Sequence, residues 1–297
     1  MISYQPKDLP IAQLHGYLLG AIAPRPIALV STINEKGERN LSPFSFFNVF
    51  SANPPIAIFS PARRGRDNTT KHTYENCKVI SEAVINVVNY NIVEQTSLSS
   101  TEYPEGIDEF IKAGLTPLAS DLVKPFRVKE SPVQLECKVK DIIELGSNGG
   151  AGNLIISEIV KLHIQEEVLD DMGAIDPFKI DLVGRLGKNW YSRTTENSLF
   201  EVEKPLARLG IGFDNIPADI KNSKVLTGND LGKLGNIQFL PDETDVNEYK
   251  LIELSDLFQE LDDDKKALEN KLHIKAQKLL QEGRVEEAWK TLLAFNN

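Results

Sequence analysis

The chain has 297 residues, 41% hydrophobic and 26% charged, enough for one large domain or a domain with an extension and too apolar for a disordered chain. A formal charge of -10 excludes a general nucleic-acid surface while leaving room for a local basic pocket. Its two cysteines, Cys77 and Cys137, form no CxxC pair or His-Cys cluster, so no metal site is expected and a buried thiol is the reading for Cys137.

The start, MISYQPKDLP, lacks the basic and apolar regions of a secretory signal, and no apolar run reaches membrane-spanning length. The expectation is a cytoplasmic protein without membrane or nucleic-acid partners. Residues 1–20 end in a short helix or strand over Leu14–Gly20, where His15, with no carboxylate or nucleophile beside it, reads as a surface or capping residue.

Pro24–Lys71 follows. Ile27–Ile33 is a β-branched and aliphatic run, Asn34–Gly37 is a turn, and Asn40–Asn48 reads as the returning strand of a hairpin. That second arm mixes aromatics with hydroxyl residues and carries Pro43, so it lies at an edge or breaks its ladder. The unpaired backbone groups of Asn40, Ser42, Pro43, Phe44, Ser45 and Phe46 suit the polar edge of a flat heterocycle, with aromatics covering its face. An ordinary edge strand with a bulge gives the same pattern. Phe44–Phe47 also carry more apolar surface than an edge strand leaves exposed, so a second copy of the chain or its own C-terminal helices must cover them.

Asn53-Pro54-Pro55 ends this element, and Ile56–Ser60 is a short buried strand. Three arginines follow, and Asp67–Lys71 is expected to open a helix. Thr70 and Lys71, with Arg66 and Ser60, suit a phosphate monoester, while a solvated charged loop is the alternative. Val84–Val88 is apolar, Asn91–Glu94 has capping-box spacing, and Ile107–Ala113 is a helical turn ended by Gly114. Val133–Leu145 alternates, with Val133, Leu135, Cys137, Val139, Ile143 and Leu145 on one face and Gln134, Glu136, Lys138, Lys140 and Glu144 on the other. Gly146–Gly152 is a flexible turn, and Leu154, Ile156, Val160, Leu162 and Ile164 form the partner strand's apolar face. Strand patterns on both sides of these glycines exclude a Rossmann loop, and no glycine-rich stretch carries GK[ST].

The ensemble PRPIALVST, a Gly turn, NLSPFSFFN, NPP, a basic loop and TKHTYEN resembles the flavin reductase-like, FMN-binding split-barrel family from about Tyr17 to Arg193. The resemblance implies a mainly β fold, a six-stranded Greek-key barrel with peripheral helices, a homodimer, and FMN held near the subunit interface. It also implies that residues 91–114 cover one mouth of the flavin site, and that the segment Asp181–Arg193 lies near it, with Arg185 facing an anionic group and Trp190 or Tyr191 packing on a ring. A domain-closing loop with exposed cations is the other reading of that segment.

The resemblance places a split-barrel domain over 1–195 and leaves 196–297 as an extension. Lys204–Leu240 reads as loop and Ser255 onward as helical. Leu268, Leu272, Ala276, Leu279 and Leu280 share one helical face, and Val285, Ala288, Trp289, Leu292 and Leu293 line a second beyond Gly283. This αα-hairpin resembles one tetratricopeptide unit without a second copy, so its face is expected to pack on the barrel or on a partner. Three functions stand open: an FMN-dependent oxidoreductase taking hydride from NADH or NADPH, a non-catalytic FMN electron carrier, and a partner-binding module. No side-chain set stands out as catalytic, as expected where the flavin carries the chemistry.

Overall fold

In the computed structural model, which describes residues 1–205 and 209–296, α1 (Ile11–Ala21) precedes β1 (Ala28–Ile33), and β1 is buried along its whole length. The turn after β1 is built locally: Asn34 Oδ1 accepts the N–H groups of Lys36 and Glu38, and Gly37 takes a φ of 78° that L side chains avoid. β2 (Arg39–Phe44) returns antiparallel to β1 with Pro43 opposite Leu29. Next come β3 (Phe47–Ala52), β4 (Pro55–Phe59), α2 (His72–Ile80), β5 (Glu82–Val87), α3 (Val93–Leu98), α4 (Glu109–Ala113) and the short pair β6 (Pro117–Leu118) and β7 (Arg127–Val128). The long hairpin β8 (Val133–Glu144) and β9 (Asn153–Ile164) and the short hairpin β10 (Val183–Arg185) and β11 (Tyr191–Arg193) complete this part of the chain.

The main sheet has seven strands in the order β2-β1-β5-β8-β9-β4-β3, all neighbours antiparallel. This corrects the expected six, because the arm read as one strand over Asn40–Asn48 is two, β2 and β3. These two are the sheet's opposite edges yet are joined through Ser45 and Phe46 alone, so the sheet curls round without closing. Pro43 sits on edge strand β2, where its missing N–H removes no ladder bond on the open side.

One face of the sheet gathers Ala28, Val30, Phe44, Phe59, Ile85, Leu135, Cys137 and Ile155 with Tyr74 and Cys77 of α2. Leu29 and Leu41 turn the other way, onto Phe110 of α4 and Val128. β1 is therefore covered on both sides, which is why its sequence shows no polar–apolar alternation and even Ser31 and Thr32 are fully buried. Phe44 is buried and stands 5.7 Å from the Phe59 ring, so within Phe44–Phe47 the exposed apolar surface is that of Phe46, and Val49 and Phe50 on β3 extend it.

Two bulges in the β8–β9 ladder, between Glu136 and Cys137 and between Val139 and Asp141, exchange the faces of the hairpin. Ile142 and Ile155 pack inward, while Ile143, Leu145 and Leu162, expected inside, are exposed. Gln134 and Glu136 were expected on the solvated face, yet both are buried under the segment before β7. Glu136 accepts N–H groups of Asp121 and Leu122 at 2.9 and 2.6 Å and lies 2.6 Å from His163 Nε2. At 91–94 no capping box forms: α3 begins at Val93 without a side-chain cap, whereas Gly114 ends α4 in the left-handed region as expected.

The chain divides into two units, Met1–Phe200 and Glu201–Asn297. The C-terminal unit is more helical than its glycines suggest: α5 (Ala218–Lys221), α6 (Gly228–Gly235), α7 (Glu243–Glu253) and α8 (Ser255–Glu260) precede the hairpin of α9 (Lys265–Gln281) and α10 (Val285–Leu293). Thr227 and Asp230 form a capping box that starts α6 in the stretch read as loop. The hairpin's apolar faces are buried within this unit, among Ile216, Ile220, Leu231 and Leu234 on one side and Val246 and Leu254 on the other. Among the described residues no helix is long and apolar enough to cross a membrane.

Candidate functional site

Where the curled sheet stays open, a cavity of about 300 Å³ lies against the β2–β3 connection. One wall is Ser42, Pro43, Phe44, Ser45 and Phe46, five of the six residues expected to line a ring. Ser45 and Phe46 leave both ladders, and the Phe46 carbonyl accepts the Ser60 N–H at 2.9 Å, which ties the connection to the end of β4. Asn40, the sixth, does not reach this cavity. It is on β2 with Ser42, Pro43 and Phe44, but its side chain is on the α2 side and donates to Thr32 Oγ1 and Thr73 Oγ1.

The opposite wall brings Ser60, Ala62, Lys71 and Ser100 together. Ser60 is only 8% exposed, and its Oγ has no hydrogen-bond partner among the described residues although it lines the cavity. Lys71 is the N-cap residue of α2, which begins at His72 rather than at Asp67. Asp67 instead folds the preceding turn by accepting the Thr69 N–H and hydroxyl, which hold its carboxyl down at about 2, and Asn68 takes a positive φ of 58°.

Two of the expected phosphate contacts lie outside the cavity. The Thr70 hydroxyl donates to Glu75, and Arg66 is exposed and paired with Asp67 and Glu102. Glu102 is the hub of the basic loop. It accepts from Arg64 Nε at 3.0 Å, lies 3.4 Å from Lys71 Nζ and pairs with Arg66. The Arg64 hydrogen bond, ahead of the Lys71 and Arg66 charges, holds its carboxyl below the ordinary value against the opposing effect of desolvation.

The glycine-rich β8–β9 turn, read as flexible, is docked on this basic loop. Arg63 N–H donates to the Ala151 carbonyl at 2.8 Å, Gly150 N–H to the Arg63 carbonyl at 2.9 Å, and Asn68 Nδ2 to the Ser147 carbonyl at 2.9 Å. A Cβ on Gly149 would stand 3.0 Å from the Arg64 carbonyl oxygen, and one on Gly152 2.7 Å from Ser60 Oγ, so both positions are glycine because the loops approach closely.

Arg185 lines the cavity but is already engaged: it lies 4.7 Å over the Tyr191 ring and donates to the Leu186 and Trp190 carbonyls at 3.2 and 3.0 Å. Tyr191 therefore packs on a guanidinium, and Trp190 is exposed. The residue missed by sequence reasoning is Arg25, between Pro24 and Pro26. It is 6% exposed and donates to the carbonyls of Leu19 and Ile22 at 2.7 Å each, to Leu186 at 3.1 Å and to Ser45 Oγ at 3.3 Å. One side chain thus ties the end of α1, the β2–β3 connection and the segment after β10 around the cavity. Burial first, then the like charge of Arg185, lowers its pKa. A cation framed by two prolines, Pro24 and Pro26, is the signal that could have found it. His15 also reaches the cavity, edge-on to Phe46 at 6.2 Å.

Residues 20–177 match a family model described as a flavin reductase like domain. An uncharacterized protein of Halalkalibacterium halodurans is 36% identical over 67% of this chain and 95% of its own length. Among solved structures, nitrilotriacetate monooxygenase component B from Bacillus cereus is 28% identical with a TM-score of 0.64, over 68% of this chain and 98% of that one. The 2-nitrobenzoate 2-nitroreductase NbaA of Pseudomonas fluorescens is 27% identical with a TM-score of 0.60, over 68% and 96%.

Proposed function

This chain belongs to the flavin reductase-like family of split-barrel flavoproteins, and on that footing we propose that it binds FMN and oxidises NADH or NADPH, passing the electrons to a flavin or another acceptor. The observation that carries the reading is the single cavity that brings the Ser42–Phe46 arm, Ser60, Lys71 and Arg185 together from distant parts of the chain. The residues present fit the cofactor. An unladdered connection flanked by Phe44 and Phe46 offers backbone groups and apolar cover for a flat ring, and the unpartnered Ser60 hydroxyl and the Lys71 ammonium offer donors for one phosphate. One compact cationic cluster favours FMN over a dinucleotide.

Bound FMN would supply the hydride and electron chemistry. The chain's own residues bind and orient. Lys71 and Ser60 hold the anionic end, while Arg25 fixes Ser45 and with it the connection that the ring would meet. Phe46, with His15 at its edge, shields the mouth of the cavity. Arg185, braced by Tyr191, keeps a positive charge on the opposite rim, suited to an anionic group of the cofactor or the donor.

The visible spectrum of the purified protein, followed by heat release and chromatography, tests the cofactor: FAD as the main product refutes FMN. Steady-state oxidation of NADH and NADPH tests turnover, and a protein that holds FMN yet oxidises neither is an electron carrier. The same reading includes a homodimer, since Val49 and Phe50 on edge strand β3 and Ile11, Tyr17 and Leu18 on α1 are exposed. A chain truncated at about Thr195 that stays yellow and dimeric by light scattering places the interface in the barrel, and a monomeric flavin-bound full chain refutes the dimer. A cytoplasmic setting fits two buried free thiols whose pKa values burial pushes up to about 12.

A further inference from the structure

A second cavity, of about 240 Å³, shares no lining residue with the first. It lies between the β1–β2 turn, the first turns of α2 and residues 105–107, and its wall bears three carboxylates, Glu38, Glu75 and Glu105. We propose that this cavity is a binding site for a small aliphatic diamine in its protonated form.

Carboxylates alone would be a solvated acidic patch, and the amides beside them make the difference. Asn40 and Asn76 line the cavity and are each only 8% exposed. Both turn their N–H groups away from it. Asn40 Nδ2 donates to Thr32 Oγ1 at 3.1 Å and to Thr73 Oγ1 at 2.9 Å, and Asn76 Nδ2 donates to Thr32 Oγ1 at 3.0 Å. The two amide oxygens are left without a hydrogen-bond partner among the described residues, on the cavity wall. An occupant that fills the cavity without donating to these oxygens takes them out of solvent unpaired, so one that carries donors is favoured.

The carboxylates keep capacity as well. Glu38 accepts from Asn34 Nδ2 at 2.6 Å and Glu75 from the Thr70 hydroxyl, each through one oxygen, and Glu105 has no partner among the described residues. The arginine of the wall, Arg39, is held by Asp108 at 2.5 Å and lies over the Phe110 and Phe126 rings. The wall therefore presents acceptors and negative charge. A primary ammonium answers both, since it carries one positive charge and three donors and accepts nothing.

A metal ion answers them less well. Hard cations gather their oxygens at 2.3–2.6 Å. Among the described residues the group of acidic and histidine side chains whose ligand atoms lie within 4.8 Å of one another is Asp121, Glu136 and His163, elsewhere in the fold. No three of Glu38, Glu75, Glu105 and His72 bring their ligand atoms within 4.8 Å of one another. Spread carboxylates around a cavity of this size suit a cation with two charged ends.

Isothermal titration of the full chain with 1,4-diaminobutane, against sodium chloride at matched ionic strength, tests the assignment. One saturable site is expected. Glu38→Gln and Glu105→Gln, both at the surface, should each weaken it about tenfold, the scale of one charge-assisted hydrogen bond lost. Asp262→Asn/Asp263→Asn, in the acidic C-terminal unit, should leave it unchanged. No saturable heat overturns the proposal, as does equal weakening in the control variant, which would mean diffuse surface charge. Magnesium chloride competing for the same site would overturn the organic cation in favour of a metal.

Discussion

Replacing Lys71 by methionine keeps most of the apolar stem that lines the cavity and removes the charge. Lys71 Nζ lies 3.4 Å from Glu102, a partly exposed pair whose loss should cost at most about 1 kcal/mol of stability. Against a phosphate the same ammonium makes a charge-assisted contact of roughly 1.5–3 kcal/mol, a loss of about ten- to a hundredfold in affinity. Glu102 competes for Lys71, so Glu102→Gln should tighten FMN in the parent and have little effect on affinity in Lys71→Met. The assay is quenching of flavin fluorescence on titration of the apoprotein, run with FMN and with riboflavin, which lacks the phosphate. Lys71→Met should weaken FMN and leave riboflavin as it was. Equal weakening of both ligands, or of neither, refutes the placement of the phosphate at Lys71.

Gly152→Ala sets a Cβ 2.7 Å from Ser60 Oγ, so it should lower stability by about 1–3 kcal/mol in thermal melts and weaken FMN in the same titration, because Ser60 must move. Phe46→Ala should loosen the ring and change flavin fluorescence, whereas Ser45→Ala should be milder, because the ring meets backbone there and Arg25 loses only its 3.3 Å bond while keeping those to Leu19, Ile22 and Leu186; an unchanged Phe46→Ala spectrum removes that residue from the site. Trp289 is fully buried and donates from Nε1 to the Leu234 carbonyl at 3.1 Å, so Trp289→Ala should destabilise the C-terminal unit by about 3–5 kcal/mol while leaving flavin binding in place, read by separate melts of the two units. Burial lowers the pKa of His273, whose Nδ1 lies 2.7 Å from Ser223 Oγ, below its ordinary 6.5. The unfolded chain then binds the proton more readily, so this contribution is whole above pH 6.5 and lost as pH falls through and below it; His273→Gln should flatten that dependence in melts of the C-terminal unit.

Much of this protein is legible in its sequence because the signals are local. The aliphatic run of β1, the Asn34–Gly37 turn, the Gly114 and Gly283 helix ends and the two faces of the α9–α10 hairpin all follow from residue type and short-range spacing. So does the chemistry of the arm around Pro43, where a missing N–H and a string of aromatics require an edge. What sequence spacing does not carry is any event that changes register or brings distant segments together. The extra residue Lys140 at the second β8–β9 bulge moves Ile143 out and Ile142 in, and no alternating pattern announces it. The break between Phe44 and Phe47 turns one strand into two sheet edges, which makes the count seven and leaves the sheet open where the cavity forms. Only the tertiary structure separates Ser60 and Lys71 from Thr70 and Arg66, because adjacent side chains point to opposite sides and Glu102, thirty-one positions beyond Lys71, engages Arg64 and Arg66 as well as Lys71. It alone turns Asn40 away from its neighbours on β2 and places Arg25 at the centre of three segments, since a buried guanidinium finds its acceptors by packing rather than by sequence.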